Sequence, residues 1–62
     1  MTLIKMYLVG EKSVEQKKEL ARVVTSEVAR IGKIDEKSIK IYFIEIKLDG
    51  VSNGGVLNRI GG

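Results

Sequence analysis

The sequence has 62 residues with 0 Cys and 0 His, and 11 Lys and Arg against 8 Asp and Glu give it a formal net charge of +3. This composition excludes a disulfide framework and lacks the cysteine and histidine ligands of structural zinc, so we expect neither a metal nor a cofactor. A chain of this length buries only about 60% of its unfolded surface, and with 44% hydrophobic residues we expect some of them to face another subunit.

The first predicted element is a strand over residues 3–9. Its sequence, Leu-Ile-Lys-Met-Tyr-Leu-Val, is mostly apolar, compatible with β structure and shorter than a typical helix, and Gly10 bounds it.

An amphipathic helix is predicted next, over residues 14–31. Ser13 and Gln16 fit a capping box, in which each side chain accepts a hydrogen bond from the other residue's backbone N–H. Gly32 follows directly, and we expect it to take the left-handed conformation that ends a helix. The apolar residues of this segment fall within one half of a helical wheel: Val14, Leu20, Ala21, Val23, Val24, Val28 and Ile31.

The second predicted strand covers residues 39–46, which are rich in β-branched and aromatic residues. Alternate positions along it form one wholly apolar set, and the opposite set is also partly apolar. Both faces of the strand therefore favour burial, although one helix covers only one face of a sheet. The two sets are Ile39, Ile41 and Phe43 on one face, and Lys40, Tyr42 and Ile44 on the other.

The tail begins with the turn signal Asp49-Gly50, passes through turn residues at 52–55 and reaches a short apolar piece, Val56-Leu57. We expect a loop or small hairpin that contacts a neighbouring subunit. Together the elements predict one α+β domain over residues 1–62, a single β-α-β unit with two parallel strands and one long helix. Two strands alone do not make a stable sheet, so we expect oligomerisation to complete it.

The basic residues are spread from Lys5 to Arg59, which indicates a mild attraction for anions. Nucleic-acid binding is not expected, because such modules concentrate basic residues on one face or add stacking aromatic residues. No apolar run approaches the ~18 residues of a membrane span, and no signal-peptide pattern opens the chain. We therefore expect a cytoplasmic protein without membrane contact.

Four segments, in their order and spacing, carry a resemblance to a known family: residues 2–8, residues 12–17, residues 38–40 with Glu45, and Gly54-Gly55. Over nearly the whole chain they resemble 4-oxalocrotonate tautomerase. The resemblance implies that two β-α-β units pair into a four-stranded sheet with two helices, and that three such pairs form a hexamer.

The resemblance also implies a reaction, the movement of a proton within a small unsaturated keto or enol acid. In the family an amino-terminal proline is the base, arginines hold the substrate's carboxylates, and an aromatic residue of a neighbouring subunit closes the site. Thr2 stands at the position of the proline, Lys12 and Lys40 at those of two arginines, and Val51 at that of the aromatic residue. All four positions depart from the family pattern.

Met1 decides which amine could act as the base. If Met1 is retained, the Thr2 nitrogen belongs to a peptide bond and the Met1 amine is the candidate. If Met1 is removed, Thr2 offers an amine and a hydroxyl; an amino-terminal threonine can act as a nucleophile, but nothing else in the sequence signals acyl transfer. Lys12 and Lys40 keep positive charge without the planar fork of arginine. The residues alone favour solvated surface lysines at both positions, and only the family resemblance implies that they bind an anion.

Two functions are left open by the sequence. One is a tautomerase-type isomerase that acts on a small anionic substrate, with Met1 or Thr2 as the base and Lys12, Lys40 and Val51 as the substrate-binding residues. The other is a non-catalytic or accessory subunit, whose partners are copies of itself or a related subunit that supplies the proline.

Overall fold

The computed structural model describes residues 1–58 and has the α+β architecture predicted from the sequence. Strand β1 (Thr2–Val9) is followed by helix α1 (Val14–Gly32) and strand β2 (Ile39–Ile46). Two short strands, β3 (Ser52–Asn53) and β4 (Val56–Leu57), end the described part, and short 3-10 turns lie at Glu36–Ser38 and Leu48–Gly50. Within residues 1–58, no helix is both long and apolar enough to cross a membrane.

Strands β1 and β2 form a parallel two-stranded sheet. Their register runs from Thr2 opposite Ile39 to Val9 opposite Ile46, so both strands begin at one edge of the unit and end at the other. Beyond the last pair, the Gly10 N–H donates to the Ile46 carbonyl at 2.8 Å. The sheet is therefore paired over the full length of both strands.

The two faces of this sheet differ in what covers them. Helix α1 packs on one face, and no hydrophobic residue among the described ones is fully buried even there. On the opposite face, which we call the outer face, Leu3 is 53%, Tyr7 61% and Tyr42 48% exposed. The outer face thus carries apolar surface that no element of this chain covers, as expected from the sequence. The half-buried residues beneath the helix are Thr2, Ile4, Met6, Leu8, Ile39, Ile41 and Phe43.

The start of helix α1 confirms the predicted capping box. The Gln16 N–H donates to Ser13 Oγ at 3.1 Å, and the Ser13 N–H donates to Gln16 Oε1 at 2.9 Å. These two bonds satisfy backbone donors that the first helical turn leaves without partners.

The prediction for the end of helix α1 is wrong by one residue. Gly32 is still helical, and Lys33 takes the left-handed conformation with φ 55° and ψ 47°. The N–H groups of Lys33 and Ile34 both donate to the Ala29 carbonyl, the latter at 3.2 Å. This paired capping requires the chain to reverse at residue 33, and it places the Ile34 side chain 3.7 Å from where a Cβ on Gly32 would lie.

The tail forms a small hairpin, one of the two alternatives expected from the sequence. Strands β3 and β4 are antiparallel, with Ser52 opposite Leu57. Gly54 and Gly55 connect them with φ of 60° and 87°, which glycine adopts without the steric cost that a Cβ brings. Val56 is 71% and Leu57 57% exposed, so the hairpin presents apolar side chains to its surroundings.

Gly32→Ala is expected to raise the free energy of unfolding by about 0.5–1 kcal/mol, because Gly32 already has a helical backbone and alanine loses less conformational entropy than glycine on folding. The matched change Gly54→Ala is expected to lower it, because Gly54 has a positive φ. Urea denaturation at one fixed protein concentration measures both. A loss of stability in Gly32→Ala would instead place the left-handed residue at Gly32.

Candidate functional site

Three of the predicted site residues lie at the edge where both strands begin, which we call the amino edge. Met1 is 94% exposed and directly precedes β1. Thr2 is half-buried opposite Ile39, and Lys40 is exposed opposite Leu3. Parallel pairing therefore brings Met1, Thr2 and Lys40 together, although they lie at opposite ends of the helical crossover in the sequence.

The other two predicted residues, Lys12 and Val51, lie beyond the opposite edge of the sheet, the carboxyl edge. Lys12 is exposed in the loop that leads from β1 to the helix cap. Val51 is half-buried and extended, just after the turn that follows β2. The seven residue steps of β1 span about 23 Å at ~3.3 Å per residue. A single chain therefore keeps Lys12 and Val51 far from the amino edge.

Glu45, near the end of β2, forms an ion pair with the helix. Its Oε1 accepts a hydrogen bond from Lys17 Nζ at 2.6 Å. Lys17 lowers the pKa of this carboxyl below its ordinary value; desolvation opposes this shift, and the backbone N–H of Lys12 adds to it. Lys17 is thus the partner of Glu45 at this end of β2.

Two open cavities in the described part of the chain lie at the carboxyl edge, and none of the five predicted site residues lines them. The larger, of about 490 Å³, is lined by Gly10, Glu11, Lys47, Leu48 and Asp49. A smaller one of about 160 Å³ adjoins it beside Glu45. Over residues 1–58, no group of three or more His, Cys, Asp or Glu could hold a metal ion. Neither cavity contains the amino-terminal amine, whereas the amino edge holds that amine together with Lys40.

Lys5 lies near the amino edge and is not among the site residues predicted from the sequence. It lies opposite Tyr42, on the same face of the sheet as Lys40. Alternation along β1 could have placed Lys5 on the face opposite Ile4 and Met6. Only the register of the two strands, however, shows that Lys5 lies diagonally next to Lys40.

Comparison with known protein families identifies the family to which this chain belongs. A family model described as a tautomerase enzyme matches residues 3–58, which is nearly all of the chain. The chain belongs to the tautomerase family. The resemblance inferred from the four sequence segments is therefore confirmed, as is the β-α-β fold that it implied.

Solved structures agree with this membership of the tautomerase family. A 4-oxalocrotonate tautomerase homologue is 28% identical with a TM-score of 0.83, covering 92% of this chain and 90% of that one. A 4-oxalocrotonate tautomerase isozyme from Methylibium petroleiphilum is 25% identical with a TM-score of 0.80, covering 89% and 86%. A heterohexamer 4-oxalocrotonate tautomerase from Chloroflexus aurantiacus J-10-fl, 24% identical, shares the fold with a TM-score of 0.81 and covers 92% of each chain. Curated protein sequences give no match.

Glu45→Gln is expected to lower the melting temperature at neutral pH, because it removes the ion pair with Lys17. The pKa of Glu45 is lowered on folding from an ordinary value of 4.5. Its carboxylate therefore stabilises the fold above that value, and this contribution is lost as the pH falls through the lowered pKa. Melting curves between neutral and acidic pH are expected to show the difference between wild type and variant shrinking below pH 4.5.

The matched control for this prediction is Glu36→Gln, on the exposed 3-10 turn, which is expected to leave the melting temperature nearly unchanged. A difference between wild type and Glu45→Gln that stays constant into acid would contradict the role given to the Glu45 carboxylate.

Proposed function

We propose that the chain is a subunit of an oligomeric tautomerase that isomerises small unsaturated keto or enol acids, with the amino-terminal amine as the base. Family membership supports the reaction class. The observation that carries the proposal is the register of the sheet, in which Leu3 lies opposite Lys40. It puts the start of β1, where the family base belongs, beside an exposed cation that can hold an acid.

The reaction needs a base that takes a proton and the resulting acid that returns it. A neutral amine at the amino terminus takes the hydroxyl proton of a dienol acid, and the electron pair left on oxygen forms the ketone as the conjugated double bonds shift. The ammonium group then gives the proton to the carbon at the far end of the shifted system. No further reagent is consumed. Lys40 holds a carboxylate or stabilises charge that develops on the carbonyl oxygen.

A second subunit is needed to bring Lys12 to this site, because the length of β1, about 23 Å, separates Lys12 from the amino edge of its own chain. Assembly that sets the carboxyl edge of one subunit against the amino edge of the next would supply both Lys12 and Val51. The exposed apolar side chains of the outer face support such assembly. The heterohexamer from Chloroflexus aurantiacus shares this fold, and for the present chain we propose a hexamer built from three dimers.

The replacements at the site determine how well this chemistry works. A lysine binds a carboxylate as a point charge, whereas an arginine offers two parallel hydrogen bonds in a fixed geometry. Val51 fills space without providing the flat surface of an aromatic side chain. A primary amine replaces the secondary amine of proline. We therefore propose an activity weaker than that of a tautomerase with an amino-terminal proline.

A second candidate function is that of an accessory subunit, favoured by the absence of proline from all 62 residues. In this case a related subunit supplies the proline, and the present chain contributes Lys12 or Lys40 to a shared site. The two functions differ in whether the chain alone has activity.

Ultraviolet-monitored ketonisation of 2-hydroxymuconate by the purified, assembled protein tests the first function. Turnover is expected well above the buffer rate and is expected to be lost after selective acetylation of the amino terminus, because an amide nitrogen is no base. Intact mass measured on the same sample shows whether Met1 or Thr2 carries the amine. An assembled protein without turnover, whose activity appears on mixing with a proline-bearing subunit, would instead establish the accessory function.

Lys40→Met and Lys12→Met are each expected to raise KM about tenfold, because each removes a charge-assisted hydrogen bond to the bound substrate. Lys18→Met, on the exposed side of the helix, is the matched control and is expected to leave KM within about twofold, since surface charges away from a site contribute little. Steady-state kinetics at fixed ionic strength gives these values. An equal rise in KM for all three variants would indicate that the net positive charge of the protein attracts the substrate, and that no specific site is formed by Lys12 and Lys40.

Thr2→Pro is expected to raise kcat/KM about tenfold or more once Met1 is absent, within the range that a well-placed base contributes. The change restores a secondary amine at the start of β1. Intact mass confirms the removal of Met1, and acetylation of the new amine is expected to abolish the gain. If a Met1-free Thr2→Pro variant has unchanged activity, the start of β1 is not the position of the base.

A further inference from the structure

The outer face of the sheet carries two lysines that lie close to each other. Lys40 is opposite Leu3, and Lys5 is opposite Tyr42. Because Lys5 is two residues beyond Leu3 on the same strand, the two lysines are diagonal neighbours, with Cα atoms about 8 Å apart from strand spacing and rise. Both side chains are exposed, and a lysine stem is long enough for the two ammonium groups to approach one small molecule.

No carboxylate lies on this face within the paired strands. The positions that share it are Leu3, Lys5, Tyr7, Val9, Lys40, Tyr42, Ile44 and Ile46. The acidic residue of β2, Glu45, belongs to the opposite face, where it pairs with Lys17. Among the ion pairs of residues 1–58, neither Lys5 nor Lys40 takes part. The two positive charges are therefore not neutralised by a partner on their own sheet.

A surface of this kind favours a doubly charged anion. Two ammonium groups at this separation repel each other, and their hydration weakens once another subunit covers the apolar side chains of this face. An anion between them relieves both costs through charge-assisted hydrogen bonds. Tyr42 lies opposite Lys5 and Tyr7 lies two residues beyond it, so phenolic hydroxyls on the same face add neutral donors for the anion.

We propose that Lys5 is a further anion-binding residue, which acts with Lys40 on one ligand and sets the preference of the site for two negative charges over one. The inference rests on the proposed function, because it adds Lys5 to the site at the amino edge. Lys40 takes one carboxylate of the ligand and Lys5 the other, which leaves Lys12 of a neighbouring subunit for the oxygen on which charge develops during the reaction. A ligand with a single carboxylate uses only one of the two lysines, so it gains little from the second.

Two probes of one carbon skeleton test this inference: trans,trans-muconate, a planar dicarboxylate, and sorbate, the corresponding monocarboxylate. Titration of each into the assembled protein, followed by amide chemical shifts in β1 and β2, gives both dissociation constants without any turnover. Wild type is expected to bind muconate about tenfold more tightly than sorbate, and the preference is expected to weaken as salt is added. Lys5→Met is expected to reduce the ratio of the two constants to about one, since it removes one charged hydrogen bond.

Three further variants make the result specific to Lys5. Lys5→Arg keeps the charge and is expected to keep the preference, Lys5→Gln repeats the loss with a second neutral side chain, and Lys18→Met is expected to change nothing. The inference is overturned if wild type binds neither probe, if Lys5→Met keeps the preference, or if it weakens both probes equally.

This inference and the proposed function fail in different ways. Binding of muconate that depends on Lys5, without ketonisation of 2-hydroxymuconate, would contradict the proposed tautomerase activity and support the anion site. Ketonisation of 2-hydroxymuconate by a protein whose preference ignores Lys5 would do the reverse.

Discussion

The structure of this chain depends on one constraint, which is that a two-stranded sheet has two faces and the chain has only one helix to cover them. Helix α1 half-buries the side chains beneath it, and the capping box at Ser13 fixes where that cover begins. The outer face keeps Leu3, Tyr7 and Tyr42 about half exposed. With no fully buried hydrophobic residue among those described, the single subunit lacks the core that a stable independent domain needs.

Most of the fold could be predicted from the sequence because the signals are local and agree with one another. Alternation in residues 39–46 predicted a strand with two apolar faces, and two adjacent glycines predicted the turn between β3 and β4. The helix end could not be read in the same way. Gly32 is the residue that most easily turns left-handed, yet the hydrogen bonds of Lys33 and Ile34 to Ala29 stabilise a reversal one residue later. These capping hydrogen bonds outweigh the greater ease with which glycine adopts the left-handed conformation.

The candidate site was less predictable because its geometry depends on strand register and on distance. Family resemblance names Thr2, Lys12, Lys40 and Val51 as positions, but it does not show that the sheet separates them into two groups. Neither does it single out Lys5, which becomes relevant only once Leu3 and Lys40 are known to lie opposite each other. Pairing of Glu45 with Lys17 similarly required the placement of the helix over the sheet, since several lysines could have served.

The outer face links assembly to chemistry in this chain. Any partner that covers the apolar side chains also removes water from Lys5 and Lys40, which makes an unpaired charge there costly. An anionic ligand removes that cost in the assembled state and has little effect on a separate subunit, where water already screens both lysines. By linkage, a ligand that binds only the assembled form stabilises it. With the proposed anion site on this face, binding of the ligand and assembly are mutually dependent, which charges on an uncovered surface would not bring about.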